Sequence, residues 1–306
     1  MNRRAFHRLL LATGGWLAGG PVLAAPARPL VRPPRLRPGD TVGLIAPSGV
    51  TNDSEIERAT RNVEALGFKT KFAANVRAAR GGYAGTVEQR VADLHAMFLD
   101  REAKALFAIR GGSGANALLP HMRYDLIRAH PKILTGYSDI TALHLAIHRR
   151  AGVVTFHCPV ATSRPNDYWQ YHFLSILTEP QPTYTMHLSI ENERRAETEP
   201  QFARRTWRHG IAEGALIGGN LSVVAALSGT PYAAQIRGKI LFLEDVREAP
   251  YRIDRMLTQL NQAEPFNRAA ALMLGVFQRA EPTDNERSLT LAEVIDDHLA
   301  PLKVPA

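Results

Sequence analysis

Short apolar strands, each followed by a glycine-bearing turn and then a helix, recur through this chain and constrain its fold more than any other feature. Thr41–Ala46 (TVGLIA) is β-branched and apolar and ends at Pro47-Ser48-Gly49. Residues 54–66 place Ile56, Ala59, Val63 and Leu66 on one helical face, closed by Gly67. A strand at Phe68–Phe72 precedes a Gly81–Gly85 loop and a second amphipathic helix, Thr86–Leu99, with Val87, Val91, Leu94 and Phe98 inward. Residues 105–109 (ALFAI) read as a strand running into Arg110-Gly111-Gly112-Ser113-Gly114. Short helices around 115–119 and 124–129 follow, then a strand at Ile133-Leu134 and a helix over 139–150. Strands and helices alternating at this spacing predict a parallel sheet covered by helices on both faces. Ligands of such sheets sit beyond the carboxyl ends of the strands. Pro47–Gly49, Arg110–Gly114 and Gly136–Asp139 therefore share one rim.

The stretch 132–141 (KILTGYSDIT) is the centre of that rim. Gly136 allows a sharp turn because it lacks a Cβ. Ser138 falls where the next helix begins, and Asp139 suits the positive end of that helix. Two readings fit. A strand–turn–helix can lift a serine hydroxyl above the sheet edge to attack a carbonyl, with nearby amides holding the oxyanion. Serine is equally a favoured N-cap, and the turn lacks the second glycine of a G-x-S-x-G elbow. The Arg110–Gly114 loop offers backbone N–H groups near Ser138, and it does not match a Walker loop.

Charge and cysteine content remove several function classes. The 306 residues carry a formal +8, yet residues 1–37 hold seven arginines and no acid, leaving a formal +1 on the rest. With no basic stripe interleaved with aromatics, nucleic acid is not an expected partner. One cysteine, Cys158, excludes an internal disulfide and a cysteine-based metal cluster; it lies in an apolar run, 153–160, as a core residue. His157, in the same run, reads as a core histidine. No metal or cofactor is implied.

Residues 1–27 read as an export signal of twin-arginine type. Arg3-Arg4-Ala5-Phe6 opens it, Leu9–Leu23 is too short to span a bilayer comfortably, and small residues around 24 and 27 offer cleavage sites. The location expected from this is the periplasm, with the cytoplasm as the alternative, and no membrane span remains after processing. Residues 28–38, rich in Pro and Arg, read as an extended tether. Residues 39–160 form the first domain. The polar, proline-bearing stretch 161–205 reads as a crossover, and 206–306 as a smaller second domain. In that second unit Glu213–Ser222 reads as a strand, a Gly-Gly turn and a helix through Leu227. Lys239–Leu243 is a strand with Glu244-Asp245 at its end, placed either to orient a catalytic histidine or to face water. Pro250 opens a helix over 251–260, 270–276 is a strand and 291–299 a helix.

Taken in order, GDTVGLIAPSG (39–49), AGTVEQRVADLHAMF (84–98), IRGGSGANALLP (109–120), PKILTGYSDITAL (131–143), HCPVA (157–161), GALIGGNLS (214–222) and LEDVREAPYRIDRML (243–257) resemble the serine LD-carboxypeptidases of peptidase family S66. The resemblance implies a first domain like class I glutamine amidotransferases and a mixed α/β second domain. It also implies a metal-free Ser–His–Glu triad between them and a homodimer. By resemblance Ser138 is the nucleophile, Glu244 orients the histidine, and the amides of Gly112 and Asp139 form the oxyanion hole. Such enzymes release the terminal D-alanine of murein tetrapeptides by cutting an L-to-D amide bond; relatives protect against peptide–nucleotide toxins. Arg110 is a candidate partner for the departing carboxylate, or else pairs within the fold. None of the eleven histidines sits in the Gly-His turn that carries the family's imidazole. The expectation is therefore a chain missing that turn, either a slower enzyme or a muropeptide binder.

Overall fold

A computed structural model describes residues 29–282 and 287–306. The export signal expected at 1–27 lies outside the described residues.

The first domain is built on five parallel strands: β1 (Thr41–Ile45), β2 (Lys69–Phe72), β3 (Ala103–Ala108), β4 (Ile133–Gly136) and β5 (Phe156–His157), in the order β2-β1-β3-β4-β5. β1, β3 and β4 are buried along almost their whole length, as strands covered on both faces must be. The intervening helices are α1 (Asp53–Ala65), α2 (Val87–Leu99), α3 (Tyr124–Ala129) and α4 (Thr141–Ala151). Asn52 with Glu55, and Thr86 with Gln89, close capping boxes that fix the starts of α1 and α2, each cap contributing about 1 kcal/mol.

α4 is the helix on which both domains lean. Thr141 through Ile147 are all buried, and the helix packs against elements of the second domain. A helix apolar on all sides belongs in a protein's interior, which explains why 139–150 lacks a clean amphipathic period.

Two stretches differ from the sequence reading. Residues 29–38 are extended but not a free tether. Val31 exchanges backbone hydrogen bonds with Gly152 and Val154, Leu36 N–H donates to Leu177, and Leu36 is fully buried. The crossover at 161–205 contains two helices, α5 (Asp167–Thr178) and α6 (Ile190–Arg195). Asn166 caps α5, and Phe173 packs edge-on against Phe107 of β3, 5.4 Å between ring centres. α5 is thus part of the first domain's core. Its apolar face is built from aromatics that the polar, proline-bearing flanks conceal.

The second domain holds three parallel strands in the order β6-β7-β8, namely β6 (Leu216–Asn220), β7 (Ile240–Val246) and β8 (Ala271–Gln278). Around them lie α7 (Leu221–Ala226), α8 (Pro250–Ala263) and α9 (Leu291–Leu299). Gly218 and Gly219 are inside β6, not in a turn after it, with φ +128° and +135°. A Cβ on Gly218 would lie 1.9 Å from the Phe242 carbonyl oxygen, so close strand approach demands glycine there. β7 likewise runs past Leu243, so Glu244 and Asp245 lie within the strand. Among the described residues no helix is long and apolar enough to cross a membrane.

Candidate active site

Ser138 stands at the carboxyl end of β4 with φ +58°, a left-handed conformation for a residue with a Cβ. Such a backbone costs on the order of 1–3 kcal/mol and persists where surrounding structure imposes it. That structure is visible. Ile140 packs its side chain onto Gly136, where any Cβ would sit 2.8 Å from Ile140 Cγ1. The Gly136 carbonyl accepts from the Cys158 amide at 3.1 Å and from His144 Nε2 at 2.9 Å. His144 is buried, which pushes its pKa down to about 4; the neutral ring carries its proton on Nε2 and acts as a clamp on the strand end. Ser138 does not cap α4, since no side-chain cap bond forms there. It is half-buried, and among the described residues its hydroxyl has no hydrogen-bond partner. The N-cap alternative is thereby set aside.

The glycine loop after β3 lies against this hydroxyl. A Cβ on Gly111 would come within 3.1 Å of Ser138 Cβ and 3.3 Å of Oγ. Gly112 has φ +134°, and a Cβ there would strike Gly49 at 2.8 Å. The backbone of the loop can approach the serine only because both positions are glycine. Neither the Gly112 nor the Asp139 amide is engaged in a hydrogen bond among the described residues. Asp139 is buried, and its carboxylate accepts from the Ala115 amide at 2.9 Å, tying the serine turn to the glycine loop. Arg90 completes the scaffold. Its guanidinium is buried and donates to the carbonyls of Pro47 and Gly114 at 2.9 and 3.1 Å. It falls on the inward face of α2 with Val87, Val91 and Leu94, a charged residue in an apolar stripe that was there to be noticed. Arg110, by contrast, pairs within the fold, with Glu55 at 3.0 Å and the Val50 carbonyl at 3.2 Å.

The second domain reaches this rim through β6 and β7. The Asn220 amide donates to Thr141 Oγ1, three residues after the serine, at 3.1 Å. Asn220 is paired in register with Glu244. The register of β7 against β8 shifts at Glu244, a bulge of the kind that re-aims a side chain. Asp245 is spoken for: it is buried and accepts from Asn220 Nδ2 and the Ser222 amide, both at 2.9 Å. Glu244 instead faces the first domain. Its Oε1 lies 3.7 Å from His157 Nε2. Burial, with Asp245 beside it, pushes the Glu244 pKa up to about 7, while burial and then His144 push His157 down to about 3. His157 is not a satisfied core residue, because Nδ1 is buried without a partner. No spacing rule links positions 157 and 244, which meet only across the domain seam. Behind them a cavity of about 560 Å³ opens between β5, α5 and β6, walled in part by His157, Trp169 and Phe242. Ser138 does not line it. Burial drives the Cys158 thiol up to about 12, consistent with an inert core residue. Among the described residues no group of three or more His, Cys, Asp or Glu is placed to hold a metal.

A partly exposed hydroxyl on a strained turn, two free amides and a buried carboxylate on the facing domain form the pattern expected of acyl transfer. The comparisons agree with it. Residues 42–158 match the LD-carboxypeptidase N-terminal domain and 213–306 the LD-carboxypeptidase C-terminal domain. A probable murein peptide carboxypeptidase of Bacillus subtilis is 38% identical over 280 residues, covering 90% of this chain and 84% of that protein. A murein tetrapeptide carboxypeptidase of Pseudomonas aeruginosa is 33% identical, covering 86% and 84%. The solved structure of MccF, a microcin C7 self-immunity protein known from Escherichia coli, in complex with glutamyl sulfamoyl guanosine, superposes with a TM-score of 0.76 at 28% identity, over 89% of this chain and 88% of that one. With both of its domains matched in order and its closest-packed glycines accounted for, this chain belongs to the LD-carboxypeptidase family, S66.

Proposed function

We propose that this protein is a serine LD-carboxypeptidase that releases the terminal D-alanine of murein tetrapeptides. The observation that carries the reading is Ser138, held at φ +58° with an unpaired hydroxyl against the Gly111–Gly112 backbone. In the proposed reaction the Ser138 oxygen attacks the scissile carbonyl, and the amides of Gly112 and Asp139 receive the negative charge as it develops. Each such donor is worth roughly 3–4 kcal/mol in a water-poor site. In a complete triad an imidazole takes the serine proton and the acid, the part Glu244 would play, stabilises the imidazolium; among the described residues no histidine bonds the Ser138 hydroxyl, so the reading predicts release slower than that of a complete triad. Names of the Bacillus and Pseudomonas relatives support the wall-peptide substrate.

The test is incubation of the purified protein with disaccharide-tetrapeptide and detection of free D-alanine by mass spectrometry. Release that disappears in Ser138→Ala supports the reading; release that survives it removes Ser138 from the mechanism. An aminoacyl sulfamoyl nucleoside, the ligand class bound by MccF, serves as a competing substrate, and cleavage of it alone would move the assignment to self-immunity. Export by the twin-arginine leader is part of the same proposal. Arg3-Arg4→Lys-Lys is expected to retain the protein in the cytoplasm on a fractionation blot.

A further inference from the structure

We propose that His157, delivered from the edge strand of the first sheet, is a positioning residue for Glu244, holding that carboxylate in place and favouring its ionised form. The assignment deepens the carboxypeptidase reading and rests on it for its link to catalysis.

The placement is over-determined by the backbone. β4 and β5 pair Gly136 with His157, two residues from the nucleophile; β6 and β7 pair Asn220 with Glu244; and the Asn220 amide bonds Thr141 on the nucleophile's helix. These three links bring His157 Nε2 to 3.7 Å from Glu244 Oε1. A shift of less than an ångström makes that contact a hydrogen bond. Glu244 Oε1 is buried without a hydrogen-bond partner among the described residues, and His157 Nδ1 is unpaired as well, which leaves the ring free to carry its proton on Nε2. Buried polar atoms normally have partners, and Nε2 is the ring nitrogen that faces the orphaned Glu244 Oε1 across the domain seam. The ring is held by Phe242, edge-on at 5.4 Å, and by His144 at 6.2 Å. Room for it exists because residue 219 is glycine; a Cβ there would press to 3.0 Å from His157 Nδ1.

Among the described residues the Asn220 side chain also favours ionised Glu244, but its Nδ2 already donates to Asp245 at 2.9 Å, so His157 is the group the first domain adds. Asp245 is occupied by Asn220 and Ser222, and as an anion it disfavours a second charge. His144 is committed through Nε2 to the Gly136 carbonyl. β8 offers Gly275, which has no side chain, against Glu244 Cβ. A neutral His157 with its proton on Nε2 donates to the carboxylate and offsets the desolvation that pushes the Glu244 pKa to about 7.

The test follows the Glu244 side-chain carboxyl by ¹³C NMR across pH, its signal assigned by loss in Glu244→Gln. His157→Phe is expected to move its titration upward by about one unit and to carry the acid limb of kcat/KM with it, a roughly tenfold loss below the limb that recovers at high pH. His157→Gln, which keeps a donor, is expected to restore the wild-type profile. A second readout uses the unaltered fold around the ring: the His157 ¹⁵N shifts are expected to move in Glu244→Gln. An unchanged carboxyl titration in a folded His157→Phe, or unchanged ¹⁵N shifts where that variant does not fold, overturns the proposal. Both spectroscopic readouts work without turnover. A shifted titration with no D-alanine release therefore counts against the carboxypeptidase reading and not against the pairing.

Discussion

The serine turn and the Glu244 strand do opposite things with their surroundings. Ser138 is strained, half-exposed and free, and it is shaped chiefly by its own domain: Gly111 and Gly112 by backbone approach, Ile140 and His144 by contact with Gly136. Glu244 lies in a regular strand apart from one bulge, is largely buried beside Asp245, and meets the other domain at His157. The proposed nucleophile is a local device, and the proposed acid stands at the domain seam. A hydroxyl must be presented to substrate, so it is lifted into solvent; a carboxylate that serves another group is more effective in a dry place.

That contrast can be broken experimentally. Ser138→Ala is expected to abolish D-alanine release while leaving the fold intact, read by mass spectrometry and circular dichroism. Glu244→Gln is expected to slow release less than Ser138→Ala does; a loss as large as that of Ser138→Ala would make the two sites one unit. Gly112→Ala is expected to lower kcat by about 10²–10³-fold, the weight of one oxyanion donor, because φ +134° and the Gly49 contact force the loop to move. Thr141→Val removes the acceptor that ties Asn220 to the first domain, leaving a buried amide unpaired at a cost of about 1–3 kcal/mol. It is expected to lower Tm and to weaken Glu244's influence without touching Ser138.

The smallest effect is on stability against pH. Glu244 has its pKa raised in the fold from an ordinary 4.5 to about 7, so the folded state binds more protons than the unfolded one in that window. Stability from this group is present below about pH 4.5 and lost as pH rises through 7. His157, lowered from 6.5 to about 3, works from the other side, its contribution lost as pH falls through that range. Glu244→Gln is expected to gain in Tm relative to wild type on going from pH 5 to pH 8, by a few °C on the scale of about 2–4 °C per kcal/mol; a constant difference would show that the carboxyl is not raised.

Much of the first domain was readable in advance, since β1, α1, α2, α3 and the strand before Ser138 follow from apolar period and caps that act over a few residues. α9 was equally plain, bounded by Thr290 and its capping box. Strand β5 was missed because its two residues pair only with β4, and α5 because its aromatics are flanked by polar and proline-bearing sequence. The two glycines of β6 read as a turn in the sequence, the ordinary meaning of Gly-Gly. The real constraint on Gly218 is Phe242 of a neighbouring strand and that on Gly219 is Thr141 and His157 of the first domain, none of which a local pattern contains.

The sequence by itself determined the alternating fold, the family, and a serine placed between a strand and a helix with glycine loops on the same rim. These depend on short-range periodicity and on residue types that tolerate few substitutes. The tertiary structure alone decided that Ser138 is strained and uncapped, that Arg110 is engaged by Glu55, and that His157 meets Glu244. Each of those rests on which distant residue occupies the adjoining space, and a chain's local preferences carry no record of that.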